Sequence, residues 1–219
     1  MPNPLTLAVV TGLHPYNVIA FQDFFHALEG VEAYIQHMED FVSTPQDMRD
    51  GYDCVMFYHF HMVTPTGEEE SWCVRPTKAA LEHLGTGNQG IIVLHHALLA
   101  FPDWDLWTQI TGLRQRKQFG YSPGEKLDVR VVPSDHPITQ GMSSWEMTEE
   151  TYHLNEDPID SEVLLTTEHP KSMKCIGWTR QYKRSRVFCL QLGHDNQGWS
   201  HPSFRELVKR GIYWASGKK

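Results

Sequence analysis

The chain has 219 residues, of which 40% are hydrophobic and 21% charged, so it is long enough to bury most of its apolar surface in one core. Its net charge of −8, with no run of Lys or Arg longer than the terminal Gly-Lys-Lys, argues against nucleic acid and anionic lipid as partners. No apolar stretch approaches the roughly 20 residues of a membrane helix, and the first residues lack a basic signal-peptide start. We therefore expect a single cytoplasmic domain over residues 1–219, with no membrane partner.

The first half of the chain alternates strand and helix patterns. Apolar runs or strict alternation predict the strands, and apolar residues at helical spacing predict the helices. The predicted strands are 5–10, 31–37, 52–60 and 90–94, and the predicted helices are 18–28, 77–84 and 104–113. Repeated βαβ units predict an α/β fold with a mainly parallel sheet and helices on both faces.

After residue 120 the pattern changes to strands separated by turn-rich segments. These strands are predicted at 127–132, 161–168, 175–182 and 186–193. A last helix is predicted over 200–217, with Ser200 as its cap and Pro202 in its first turn. The segment 147–157, which carries Glu149, Glu150 and Tyr152, is either a solvated acidic loop or part of a site.

Several of the 13 histidines follow predicted strands. His14 follows the first strand, His59 and His61 end the third, His95 and His96 end the fourth, and His194 follows the last. In an open α/β sheet these strand ends meet at one edge, where ligands bind. The sequence therefore predicts a histidine-rich site at that edge.

His95 and His96 lie where a buried strand gives way to a helix, in a turn that resembles a nucleophile elbow. That chemistry needs Ser, Cys or Thr at the tip, which neither position supplies. Because side chains alternate along a strand, we expect at most one of the two imidazoles to face a cleft. The other is expected to be structural.

His59 and His61, two residues apart, could chelate a metal or could simply end a buried strand at solvent. His194 beside Asp195 is either a group for proton transfer near neutral pH, tuned by the carboxylate, or part of a capped turn. The four cysteines Cys54, Cys73, Cys175 and Cys189 form no C-x-x-C pair, which argues against disulfides and a thiolate zinc site.

The motifs VTGLHPYN, GIIVLHHALLAFPDW, DHPITQGM, EETYHL and LGHDNQGW, with a terminal helix ending GIYWASG, occur in this order along the chain. Together they resemble the ThuA-like trehalose-utilisation proteins. The resemblance implies a flavodoxin-like three-layer sandwich of the class I glutamine amidotransferase type. One departure is the segment TGLRQR, where relatives carry a pair of glycines.

The resemblance also implies where the site lies. It puts the elbow histidine at His95, the acidic-tyrosine motif at Glu150 and Tyr152, and the terminal motif at His194 and Asp195. The elbow of the glutaminases carries a nucleophilic cysteine, which this sequence lacks, so glutamine hydrolysis is disfavoured. Family members take part in disaccharide utilisation, in routes through 3-keto sugars.

We therefore expect an enzyme that processes a keto-sugar or glycoside as an isomerase, lyase or hydrolase. The expected catalytic residues are His95, Glu150, His194 and Asp195, and the expected substrate-binding residues are His14, His59, His61, His96, Tyr152 and Trp199. No cofactor is certain; a divalent metal, most plausibly zinc, is the open option, as is a homo-oligomer. The alternative is a non-catalytic carbohydrate- or metal-binding module on the same scaffold.

Overall fold

The computed structural model describes residues 3–67 and 77–218, so Trp72 and Cys73 lie outside the described residues. Its nine strands are β1 (Leu5–Gly12), β2 (Val31–His37), β3 (Cys54–His59), β4 (Gly90–Leu94), β5 (Gly120–Val131), β6 (Trp145–His153), β7 (Glu162–Thr166), β8 (Cys175–Tyr182) and β9 (Ser185–Leu190). Its α-helices are α1 (Val18–His26), α2 (Met38–Ser43), α3 (Gln46–Arg49), α4 (Thr77–Glu82), α5 (Asp105–Thr111), α6 (Asn196–Ser200) and α7 (Pro202–Ser216).

The strands form one mixed sheet in the order β2-β1-β3-β4-β9-β8-β7-β5-β6. The pairs from β2 to β9 are parallel, whereas those from β9 to β6 are antiparallel. The prediction of a mainly parallel sheet is therefore correct for one half only. The second half is antiparallel because its strands follow one another through short connections rather than crossover helices.

The parallel half is buried as its composition predicts. Every residue of β3 and β4 is buried, as expected for strands covered on both faces. Helix α7 packs on this part of the sheet, and Gly211 permits the close approach: a Cβ there would lie 2.4 Å from Phe188. The placement of helices on both faces and the single domain stay predictions.

The ends of α7 differ slightly from the prediction. Its cap is His201, whose ring accepts a hydrogen bond from the amide of Ser203, because Ser200 belongs to the short helix α6. Pro202 is in the first turn as predicted, where its missing N–H costs nothing.

The acidic segment is a strand, β6, rather than a loop. Residues 120–129 of β5 pair with β6, while only Arg130 and Val131 pair with β7, so the β5–β6 ribbon extends well beyond the main sheet. The register shifts between Ser122 and Glu125, a bulge that bends such ribbons. This bend allows β6, last in the sheet order, to reach the carboxyl ends of the parallel strands.

None of the described helices is long and apolar enough to cross a bilayer. The described cysteines Cys54, Cys175 and Cys189 are free and buried.

Candidate functional site

His95 begins the 3₁₀ turn His95–Leu99 directly after β4, with a φ of +53°. A residue other than glycine costs roughly 1–3 kcal/mol in this left-handed region and persists only where its surroundings hold it there. Sharp strand-to-helix turns that present a side chain have this conformation. The predicted elbow is therefore present, with histidine at its tip.

The neighbours of His95 fix its tautomer. Its Nδ1 lies 2.6 Å from the carbonyl oxygen of Gln191, which can only accept, so Nδ1 carries the proton and donates. The hydroxyl of Tyr152 lies 2.7 Å from Nε2, and donates to it when the ring is neutral. Burial lowers the pKa of His95. It outweighs the hydrogen bonds to the Glu150 carboxylate and the Gln191 carbonyl, which would raise the pKa, and so the neutral ring is favoured.

Glu150 lies between two imidazoles. Its Oε1 is 3.4 Å from Nε2 of His95, and its Oε2 is 3.8 Å from Nε2 of His194. Burial raises the pKa of this carboxyl, but its interactions with His95, His194 and the Tyr152 hydroxyl favour the ionised form and together lower the pKa below its ordinary value. Glu150 is therefore ionised at neutral pH and available as a base.

Glu149, the preceding residue, holds the backbone that carries His194. Its carboxylate accepts from the amides of Gly193 at 2.7 Å and of His194 at 3.0 Å. The amide of Glu150 is a third donor, also at 3.0 Å. Burial raises the pKa of Glu149 to about 7 despite these three donors. Glu149 thus contacts the backbone of His194, and the next residue, Glu150, contacts its ring.

His96 points to another part of the site. Its ring stacks on His14, with centroids 4.1 Å apart, and packs against Tyr58 at 4.3 Å. His14 in turn meets His194 edge to face at 5.9 Å. Because a 3₁₀ turn replaces the strand after Leu94, both imidazoles of the pair lie near the site. Both rings are buried and neither lines the cavity beside Glu150, so the expectation that at most one of them faces a cleft stays a prediction.

A cavity of about 280 Å³ adjoins Glu150. It is lined by Pro123, Gly124, Thr148, Glu149, Glu150, His194, Asp195 and Gln197. The bulge of the β5–β6 ribbon forms one wall, and the start of α6 forms another. The side chains of His194 and Glu150 are 27% and 10% exposed, while that of His95 is fully buried. A ligand in the cavity would therefore touch Glu150 and His194 rather than His95.

His59 and His61 belong to a second histidine cluster, with His37, at the ends of β2 and β3. Their Nδ1 atoms lie 3.2 Å apart. Burial lowers the pKa of His59 strongly and that of His61 to about 4, and the nearby imidazoles add to both shifts. His59 is fully buried against Phe101 and Trp107. The predicted substrate contacts through His59, which is buried, and through His61, which is partly exposed, stay predictions.

Two further predicted residues have structural contacts. Trp199 is 1% exposed and donates from its ring nitrogen to the carbonyl of Gly193 at 2.8 Å, so it supports the loop from behind. Burial of the indole favours a supporting role in this structure, and the predicted contact of Trp199 with substrate stays a prediction. Asp195 caps α6 by accepting from the amide of Gln197 at 2.8 Å, and it also lines the cavity. Its catalytic role stays a prediction.

The segment TGLRQR contains a buried cation. The guanidinium of Arg116 donates to the backbone carbonyls of Ala100, Phe101, Trp104 and Leu113 and to the hydroxyl of Thr108. The side chain is 0% exposed, and burial lowers its pKa to about 10. Arg116 therefore ties this segment to the chain that leaves the elbow.

Sequence reasoning did not assign a role to Glu149, Phe60 or Phe119. Glu149 could have been found only if 147–157 had been read as a strand, since neighbouring side chains then point to opposite faces. Phe60 and Phe119 are partly buried rings near the site, and a single aromatic residue in a loop carries no sequence signal.

A family model described as "ThuA: Trehalose utilisation" matches residues 19–215. No curated protein matches the chain. A ThuA-like protein of Parabacteroides merdae is 18% identical, with a TM-score of 0.73 over 98% of this chain and 91% of its own. One of Bacteroides uniformis is 18% identical, with a TM-score of 0.75 over 98% and 93%.

A glutamine amidotransferase of Thermotoga maritima is 10% identical, with a TM-score of 0.53 over 97% of this chain and 98% of its own. At this identity the likeness shows the fold alone. The chain has an α/β fold with a large mixed sheet similar to that of the amidotransferases.

Proposed function

Because the chain belongs to the ThuA trehalose-utilisation family, we propose that it is an enzyme of carbohydrate utilisation that moves a proton on a keto-sugar or keto-glycoside. The observation that carries the proposal is the position of Glu150. This ionised carboxylate lies between two imidazoles at the wall of a cavity of about 280 Å³. General acid–base catalysis needs such a pair of groups within reach of one substrate.

The proposed first step is removal of a proton from the carbon next to the ketone. Glu150 takes the proton, the C–H electron pair becomes a C=C bond, and the ketone's π electrons move to its oxygen. His194 donates a proton to that oxygen to give an enediol. For isomerisation, Glu150 returns its proton to the former carbonyl carbon while the neighbouring hydroxyl gives its proton to His194, which leaves a ketone on that neighbouring carbon. For elimination, the enol hydroxyl returns its proton to His194 as the ketone and a new C=C bond form, the C–O bond to the β-substituent breaks, and the departing oxygen takes the proton from Glu150.

His95 and Tyr152 act on this step through Glu150. Both are buried, and Nε2 of His95 faces the Tyr152 hydroxyl and the carboxylate together. Burial keeps the pKa of Tyr152 well above its usual value, so the hydroxyl stays protonated and remains a donor. We assign His95 as a positioning residue and Glu150 and His194 as the groups that touch substrate.

A thioester mechanism has no support in the described residues. Cys175 and the two other described cysteines are buried, burial raises their thiol pKa values, and none of them is at the elbow. Only the thiolate is a competent nucleophile. The reaction of the glutaminases is accordingly not the one we propose.

A metal-assisted variant has one observation in its favour. Ligand atoms of His95, Glu150 and His194 all lie within 4.8 Å of one another. The Nδ1 proton of His95 is held by a backbone carbonyl, which leaves Nε2 for a ligand, as in many metal sites. Two imidazoles and a carboxylate suit zinc, which would polarise the ketone. Stoichiometric metal in untagged protein, with a rise in melting temperature on adding zinc, would support this variant.

The proposal is tested by incubating the protein with 3-keto-trehalose in D₂O and following deuterium uptake beside the ketone by NMR. We expect uptake with the native protein and a loss of at least about 100-fold in His194→Ala, while the exposed His26→Ala keeps the native rate. Absence of uptake and turnover on a panel of keto-sugars, with sugar binding retained, would establish the binding-module alternative.

A further inference from the structure

Six aromatic side chains form a closed circuit beside Glu150, which we call the aromatic circuit. Successive ring centroids are 5.9 Å apart for His194 and His14, 6.1 Å for His14 and Phe60, 6.3 Å for Phe60 and Phe119, 6.1 Å for Phe119 and Tyr152, 4.8 Å for Tyr152 and His95, and 5.1 Å for His95 and His194. The members come from the ends of β1, β3, β4 and β9, from β6 and from the segment before β5.

His96 lies against three members of the circuit. Its centroid is 4.1 Å from His14, 5.8 Å from Phe60 and 5.5 Å from His95. The ring is 1% exposed, and the described chain gives its two nitrogens no partner beyond a backbone contact with Tyr58. At least one buried nitrogen therefore lacks a partner, which is costly unless a ligand or water supplies one.

Exposure differs around the circuit. His14, Phe60, Phe119 and His194 are partly exposed, whereas His95 and Tyr152 are buried like His96. The four partly exposed rings therefore form a rim, and the three buried rings form a floor. His194 belongs to this rim and also lines the 280 Å³ cavity, so the rim and the cavity share this side chain.

The chemistry of the rings favours a sugar. A pyranose has an apolar C–H face and a polar edge of hydroxyls, so it suits sites where aromatic rings stand next to groups that donate and accept. Phe60 and Phe119 offer apolar rings on the rim, and the imidazoles of His14 and His194 can donate or accept there.

We propose that the aromatic circuit binds one pyranose ring of a glycoside whose other part lies in the cavity beside Glu150. The inference rests on the proposed function for the position of the reacting group, but it makes a separate claim about recognition. Phe60 and Phe119 are the residues that would stack on the sugar, in place of the tryptophan that the sequence suggested.

The test uses trehalose and methyl α-D-glucopyranoside, which lack the ketone and bind without reacting. Affinity is measured by NMR titration of the native protein and of Phe60→Leu, Phe119→Leu and the double variant. We expect native binding and a loss of about three- to tenfold in each single variant, the range typical of an aromatic contact. Tyr121→Leu is the matched control, since Tyr121 is an exposed ring on β5 outside the circuit.

The controls keep folding and function separate from recognition. Phe119 lies outside regular secondary structure, so its variant should keep the native NMR spectrum even if Phe60→Leu does not. Unchanged affinity in folded Phe119→Leu and the double variant, or no sugar binding by the native protein, would overturn the inference. Tighter binding of choline than of either sugar would also overturn it, by making the circuit a cation site.

If keto-sugars show no deuterium uptake but trehalose binds and the phenylalanine variants weaken it, the proposed function fails and the inference on the circuit stands. If deuterium uptake occurs and the KM for the keto-sugar is the same in native protein and in Phe119→Leu, the proposed function stands and the inference on the circuit fails.

Discussion

Two groups of histidines lie at the same edge of the sheet, and they differ in what surrounds them. His95 and His194 contact the carboxylate of Glu150 and adjoin a cavity. His59 and His61 contact each other, and no carboxylate among residues 3–67 and 77–218 contributes to the shifts of their pKa values. The imidazoles of the first group have a charged partner and access to a ligand, and those of the second have mainly apolar neighbours and one another.

The comparison shows that residue type and strand end do not by themselves define a site. Both groups follow parallel strands, and both fit the pattern of histidines placed directly after an apolar strand equally well. The difference comes from β6, which brings Glu149 and Glu150 to one group and not to the other. A buried imidazole without a carboxylate is held neutral and supports packing.

The largest effect is expected from removing that carboxylate. Glu150→Gln keeps the shape of the side chain but not the base, so deuterium uptake by a keto-sugar should fall about 100-fold or more, measured by NMR. Glu146→Gln, an exposed change on the same strand, should keep the native rate. Near-native uptake in Glu150→Gln would remove the functional distinction between the two groups.

A smaller effect is expected at Glu149. In Glu149→Gln one carboxylate oxygen becomes an amide that faces backbone N–H groups, so buried donors lose their acceptor. The free energy of unfolding should fall by about 1–3 kcal/mol, measured with urea at pH 8, where the native carboxylate is ionised. The amide signals of Gly193 and His194 should shift as well. A variant as stable as Glu146→Gln would show that this carboxylate does not hold the loop.

The smallest effect is expected in the second group, and it depends on pH. Because the pKa of His61 is lowered to about 4 in the folded protein, the unfolded chain binds the proton first as pH falls below 6.5. Stability present above pH 6.5 is therefore lost between pH 6.5 and 4. In the described part of the chain, the titratable group that shifts the pKa of His61 is His37, and the ring of His59 lies in contact with it.

His61→Asn retains an amide where Nδ1 meets His59 and removes the titrating ring. Its loss of stability between pH 7.5 and pH 5 should be smaller than the native loss by on the order of 1 kcal/mol, after allowance for partial exposure. Urea unfolding at both pH values measures this, with the exposed His26→Asn as control. If the native protein and His61→Asn lost equal amounts of unfolding free energy between these pH values, the loss could not be attributed to His61.

Much of the parallel half could be predicted from the sequence. Continuous apolar runs such as 52–60 and 90–94 have few alternatives to a buried strand, and the histidines after them then share one edge. The segment 145–153 could not be assigned as a strand, because its polar residues are buried by contacts with the distant loop at Gly193 and His194. Local pattern carries no trace of such long-range contacts. The burial of Trp199 could not be predicted for a related reason: its indole packs against Phe21 and Tyr58, which are far away in sequence.

The buried guanidinium of Arg116 has a consequence for how the elbow unfolds. Its hydrogen-bond acceptors are backbone carbonyls and one hydroxyl, so a local opening of residues 100–113 would leave this buried cation without acceptors. Such an opening is costly, and the amide protons of this stretch should exchange with solvent only through larger, cooperative events. His95, which has a strained backbone at the start of the turn His95–Leu99, is therefore followed by a segment that we expect to open only as a unit.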